Sequence, residues 1–163
     1  MLKLSRSAAT CCLILLLQPN SAFSKDSVLL GEVEKVLLTE LGVTLNARVD
    51  LEARMSSLDT RNIKIQGKKN RRNVIGRIYL DKGKIKKLNA RIVRMEKVKV
   101  AGIWSKKHPV ITVALCLGKK LRLVEVILRN RKDMKYRMSL GRNVLGAGYT
   151  LNLDKEFLTT PRC

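Results

Sequence analysis

Apolar residues recur at alternate positions in one segment of this chain after another, and no segment repeats them at the three-to-four spacing of a helix face. A two-residue period sends successive side chains to opposite faces, so such segments fold as strands with one face covered. Val33 to Leu38 and Thr44 to Asp50 read as the first two strands, turned by Leu41-Gly42. Asn62 to Gln66 and Asn73 to Leu80 read as a basic hairpin around Gly67-Lys68-Lys69-Asn70. Ile92 to Val100 carries charge on both faces, which assigns it to a sheet edge or an outer layer. Pro109 to Leu117 is mostly apolar and β-branched and reads as a central strand, with His108 at its start. Gly118-Lys119-Lys120 turns it into Leu121 to Leu128, the strongest hairpin signal in the chain. A short helix is expected at Arg142 to Leu145, a strand at Tyr149 to Leu153, and a last helical turn at Asp154 to Leu158, capped by Asp154. Many short strands joined by turns argue for an all-β chain folded as a closed sheet or small barrel.

The first 24 residues stand apart from this pattern. Lys3 and Arg6 are followed by an apolar run from Ala8 to Leu17, by Pro19, and by the small residues Ala22 and Ser24 at cleavage spacing. A span needs about 20 apolar residues, so residues 1–24 read as a secretory signal and not as a membrane anchor. The expected mature chain, residues 25–163, has the length of one domain and no further apolar run long enough to cross a bilayer. Export across the inner membrane to the periplasm is the expected destination.

Charge narrows the partners. The chain carries +21, and loss of Lys3 and Arg6 with the signal leaves +19. A field of that sign gathers polyanions such as acidic peptides, anionic lipid or acidic glycan; export makes nucleic acid the least favoured of them. The bland alternative is a charge-rich surface with no dedicated ligand. Cys116 and Cys163 are the two cysteines left after the signal, and in an oxidising compartment they are expected to pair, the alternative being a buried Cys116 and a free tail thiol. With one histidine, His108, there is no metal-ligand spacing, and no metal or other cofactor is expected. Trp104 and Tyr136 read as core or interface residues and not as a stacking platform.

Two motifs carry a resemblance. Ala47-Arg48-Val49-Asp50, Ala53 and Ser56-Ser57-Leu58-Asp59 resemble the active-site segment of a bacterial retropepsin-like aspartic peptidase family often labelled ATP-dependent zinc proteases. That family has Asp-Thr-Gly-Ala where this chain has Asp50-Leu51-Glu52-Ala53. Downstream, Ser139-Leu140-Gly141-Arg142-Asn143-Val144-Leu145 is similar to the hydrophobic-Gly-Arg-Asn segment of the same family and of retroviral proteases, and Gly148 to Leu153 looks like their closing strand. The resemblance implies a barrel that forms a homodimer, in which one Asp from each subunit meets at a cleft under a β-hairpin flap. It makes Asp50 the catalytic candidate, residues 51–53 the rest of the active-site loop, and Gly141 with Arg142 the support packed behind that loop.

In such a site two carboxylates share one proton and activate water, the case for which aspartic proteases are the standard example. The resemblance assigns the next position a hydroxyl that locks the loop, and the third a glycine that lets backbone and substrate approach. Leu51 supplies no hydroxyl. Glu52 adds a second carboxylate per subunit, and burying it unpaired is costly. The reading is therefore an exported retropepsin-like protein with impaired catalysis, holding an extended acidic peptide or other polyanion in its cleft. The alternatives are an active homodimeric endopeptidase acting on cell-envelope polypeptides, and a surface-charge protein with no cleft ligand.

Overall fold

A computed structural model describes residues 27–68, 71–100, 102–146 and 148–163. The signal expected over residues 1–24, the Lys69-Asn70 tip of the basic turn and the side chain of Trp104 lie outside the described residues. The strands are β1 (Val28–Leu30), β2 (Val33–Leu38), β3 (Val43–Val49), β4 (Ser56–Gln66), β5 (Asn73–Tyr79), β6 (Ile85–Arg91), β7 (Arg94–Val100), β8 (Ile103–Leu117), β9 (Lys120–Arg129), β10 (Met138–Leu140) and β11 (Tyr149–Leu151), with one short helix, α1 (Arg142–Leu145). Six of them, in the order β10-β3-β2-β8-β9-β4, close into a barrel because β10 pairs with both β3 and β4.

Alternation explains why these residues close a barrel. Along β3, Val43, Leu45, Ala47 and Val49 are buried while Thr44 and Arg48 face out. Their inward partners include Leu58, Leu115, Leu128, Met138 and Leu140, all at or near zero exposure. Each such side chain contributes about 1.5–3 kcal/mol on burial. Outside the barrel, β5 and β6 continue the sheet from β4, β7 pairs with the first half of β8, and β1 pairs in parallel with β11. The charged strand β7 thus lies beyond the ring, where Lys97 reaches water. Among the described residues no helix is long and apolar enough to cross a membrane.

Three sequence expectations need correction. His108 does not start a strand: β8 begins at Ile103, and His108 lies within it opposite Glu96 of β7. The basic hairpin's first strand begins at Ser56, six residues before Asn62, and runs through a bulge where Asn62 has φ 54°. The helical turn expected at Asp154 to Leu158 is absent: Leu153 and Asp154 form a turn, and residues 155–158 have no regular secondary structure. Tertiary hydrogen bonds decide this last case. Glu32 N donates to Lys155 O at 2.6 Å, Phe157 N donates to Val33 O at 2.7 Å, and Phe157 takes φ 55°, outside the helical region.

The tail is also held from beneath. The fully buried carboxylate of Glu34 accepts hydrogen bonds from the amides of Gly31, Leu158 and Thr159 and from the Thr159 hydroxyl. Four donors meet the two oxygens, which is how a carboxylate is held inside a small protein. Beyond it the sulfurs of Cys116 and Cys163 are bonded at 2.01 Å, fastening the last residue to β8. Tyr136 is half-buried, with its hydroxyl 3.4 Å from Glu156.

Candidate functional site

Asp50 follows the last residue of β3, and the loop it opens is fastened to the segment after β10. Asp50 N donates to Leu140 O at 2.9 Å, Arg142 N to Ala53 O at 2.9 Å, and Asn143 N to Arg54 O at 3.2 Å. Ala53 N closes the loop on itself by donating to Asp50 Oδ1 at 3.0 Å. The Arg142 guanidinium donates to the carbonyls of Leu51 and Glu52 at 3.0 and 3.4 Å. Asn143 Oδ1 accepts from both the amide and the hydroxyl of Ser56, whose Oγ accepts from Gly141 N at 3.0 Å. The residues singled out in the two distant motifs, Asp50 to Ala53 and Gly141 to Arg142, therefore form one unit.

Gly141 is required by space and not by its backbone angle. A Cβ there would stand 2.5 Å from Met55 C, 2.8 Å from Met55 O and 2.9 Å from Ala53 O, all backbone atoms that cannot swing aside. Gly141→Ala is expected to destabilise the protein by about 3 kcal/mol, at the upper end of overpacking costs. Gly146→Ala, whose new methyl would meet nothing nearer than 3.9 Å, is the control. Equal urea midpoints for the two variants would show that the loop does not press on Gly141.

A polar layer lies beneath the loop. Ser57 Oγ and Ser139 Oγ are 2.9 Å apart, and Arg131 Nη1 donates to them at 2.8 and 3.3 Å. Arg131 Nε donates to Tyr136 O, and its amide donates to Asp59 Oδ1 at 2.9 Å. Asp59, with no exposure at all, is paired with Arg61 at 2.7 Å and Arg137 at 3.3 Å. Burial lowers the Arg131 pKa, the nearby charge of Arg129 adds to that, and Asp50 and Asp59 oppose it. Asp50 thus lies within the electrostatic reach of a buried guanidinium. Sequence reasoning placed Ser57 and Asp59 in the motif but did not join them to Arg131. Their signal is the Ser56-Ser57-Leu58-Asp59 run itself, whose small hydroxyls and acid were not read as part of a strand.

A cleft of about 1090 Å³ opens over Asp50. The loop and β3 form its floor, Glu96, Lys97 and Val98 of β7 one wall, and Ile127, Arg129 and Arg131 another. Arg54 of the loop meets Glu96 at 2.6 Å, so the β7–β8 hairpin is tied to the loop over which it stands. Arg94 reaches Glu96 at 3.1 Å and also pairs with Glu125. Leu51 is 45% exposed, Glu52 is exposed, and Met134 and Leu153 expose apolar surface in the same cleft. Among the described residues, no three of His, Cys, Asp and Glu stand close enough to hold a metal ion.

A six-stranded closed barrel, an Asp loop locked to a Gly-Arg-Asn turn and a hairpin above it are the architecture of a retropepsin-like protein. Residues 29–162 match the RimB-like family, described as retropepsin-like aspartic endopeptidase RimB, and the chain belongs to that family. The crystal structure of a protein of unknown function, Lpg0085, from Legionella pneumophila subsp. pneumophila str. Philadelphia 1, is similar with a TM-score of 0.68 and 28% sequence identity, over 81% of this chain and 98% of that one. No curated protein matches the chain.

Proposed function

We propose that this protein is exported to the periplasm and holds an extended acidic polypeptide, or a polyanion of similar form, in the cleft over Asp50, with hydrolysis impaired. One observation carries the reading: the loop is held by backbone bonds on both sides, yet the residues next to Asp50 are a hydrocarbon, Leu51, and a carboxylate, Glu52. A hydrolytic site depends on preorganised donors and a controlled proton count, and these two side chains supply neither. Strand addition beneath the β7–β8 hairpin suits an extended chain. Arg48, Arg54, Lys97, Arg129 and Arg131 line the cleft against Glu32, Asp50, Glu52 and Glu96, so the preference for acidic side chains is carried by the excess of Lys and Arg over the rest of the chain. The presence of a cleft around Asp50 speaks against a surface-charge protein with no cleft ligand.

A second reading, an active aspartic endopeptidase working as a homodimer, is favoured by the apolar rim. Leu51 and Leu153, at 45% and 46% exposure, border the Asp50 cleft and offer a second copy something to cover. One experiment separates the two. Purified protein and its Asp50→Asn variant are incubated with acidic peptides from acidic to neutral pH, measuring binding by anisotropy and cleavage by mass spectrometry. The first reading expects binding by both proteins, weakened at least about tenfold between low and high salt, with intact peptide throughout. Absence of binding at low salt rejects it, and cleavage by wild type but not by the variant selects the second.

A further inference from the structure

The strongest concentration of charge lies away from the cleft. The segment from Arg61 to Arg91 contains twelve Lys or Arg and a single acid, Asp81. It forms the distal half of β4 with β5 and β6, three antiparallel strands extending beyond the barrel. Val74, Ile78 and Leu88 are buried on the inner face. The pairing then sets Arg61 opposite Arg77 and Arg77 opposite Lys87, so three cations form one row across the outer face. Neighbouring strands are about 5 Å apart, and the next row on the same face, about 7 Å along, begins with Lys64 opposite Ile75.

Like charges placed directly opposite one another destabilise a sheet unless something neutralises them. Arg61 has Asp59, but among the described residues Lys64, Arg77 and Lys87 have no acidic partner. The apolar members of this face are Ile75 and Ile85, the latter 52% exposed. Its aromatic ring, Tyr79, is covered by the Arg61 guanidinium at 3.8 Å from the ring centre. A covered ring offers nucleobases no stacking platform, which single-strand binders use. A row of cations beside exposed isoleucine instead matches the interface of a phospholipid bilayer, where headgroup phosphates meet the charges and the hydrocarbon enters the headgroup boundary.

We infer that the outer face of β4, β5 and β6 is a docking surface for anionic phospholipid membranes, with Lys64, Arg77 and Lys87 as its phosphate contacts and Ile85 as its interfacial apolar residue. The test is cosedimentation of the full chain with phosphatidylglycerol–phosphatidylcholine vesicles and with pure phosphatidylcholine vesicles at low and high salt. The variants are a triple Lys64→Gln, Arg77→Gln, Lys87→Gln and a charge-matched Lys119→Gln, Lys132→Gln, Lys155→Gln, each checked for an unchanged melting curve. Wild type is expected to bind only the anionic vesicles, the first variant about a hundredfold more weakly, and the second within about fivefold of wild type. Equal losses in the two variants would reduce the effect to net charge and overturn the site. Unchanged binding by the first variant would do the same. Displacement from vesicles by a single-stranded oligonucleotide at far lower concentration than by soluble phosphatidylglycerol would overturn the lipid assignment.

Discussion

Replacing Asp59 with alanine is expected to destabilise the protein by about 4 kcal/mol, the size measured when one partner of a buried ionic cluster is removed. The cause is what stays behind. Arg61 and Arg137 lose their carboxylate, the Arg131 amide loses its acceptor, and a largely buried Arg131 loses one of two compensating negative charges. Because Arg131 also binds Ser57 and Ser139, the disturbance passes to the strands that carry the Asp50 loop. Asp59→Asn keeps an acceptor for the Arg131 amide and is expected to cost roughly half as much. Urea unfolding of the three proteins measures this. A loss below about 1 kcal/mol for the alanine variant would mean that water already solvates the cluster.

Cleavage of the Cys116–Cys163 bond is the second large effect. The bond closes a loop across 47 residues of separation, and constraint of the unfolded chain predicts about 4 kcal/mol of stability from it. Reduction is therefore expected to lower the melting temperature by roughly 12 °C. The loss should begin at the tail, where the hydrogen bond from Arg162 N to Gly118 O remains but the covalent link of Cys163 to β8 is gone. Thermal unfolding with and without reductant, alongside a Cys116→Ala, Cys163→Ala variant, checks the size. Identical curves would show that the bond adds nothing to the hold exerted by Glu34 on Leu158 and Thr159.

Most of the barrel was legible because alternation is a local signal. Val43 to Val49 buries side chains on a two-residue period, as a strand with one face in a core must, while Pro109 to Leu117, buried at every position but Thr112, shows instead as a continuous apolar, β-branched run. The missed strands lack that signal. β10 has three residues, all buried, and exists because β3 and β4 flank it. β6 carries four exposed residues among its first five and is a strand because β5 pairs with it along its whole length. The tail failed in the opposite direction: Asp154 is a good helix cap in isolation, but the backbone of Glu32 and Val33 and the carboxylate of Glu34 offered stronger partners.

The same division runs through the site. Local order alone established the alternating and apolar strands, the short helix after Gly141, the excess of positive charge, and Asp50 with Leu51 and Glu52 beside it, since each is a property of neighbouring residues. Tertiary contact alone decided that Arg142 holds the carbonyls of Leu51 and Glu52, that Gly141 fits against Met55, and that Asp59, Arg131, Ser57 and Ser139 form one buried layer. Those partners lie tens of residues apart, and their hydrogen bonds become worth more than water's only after barrel closure has removed the water.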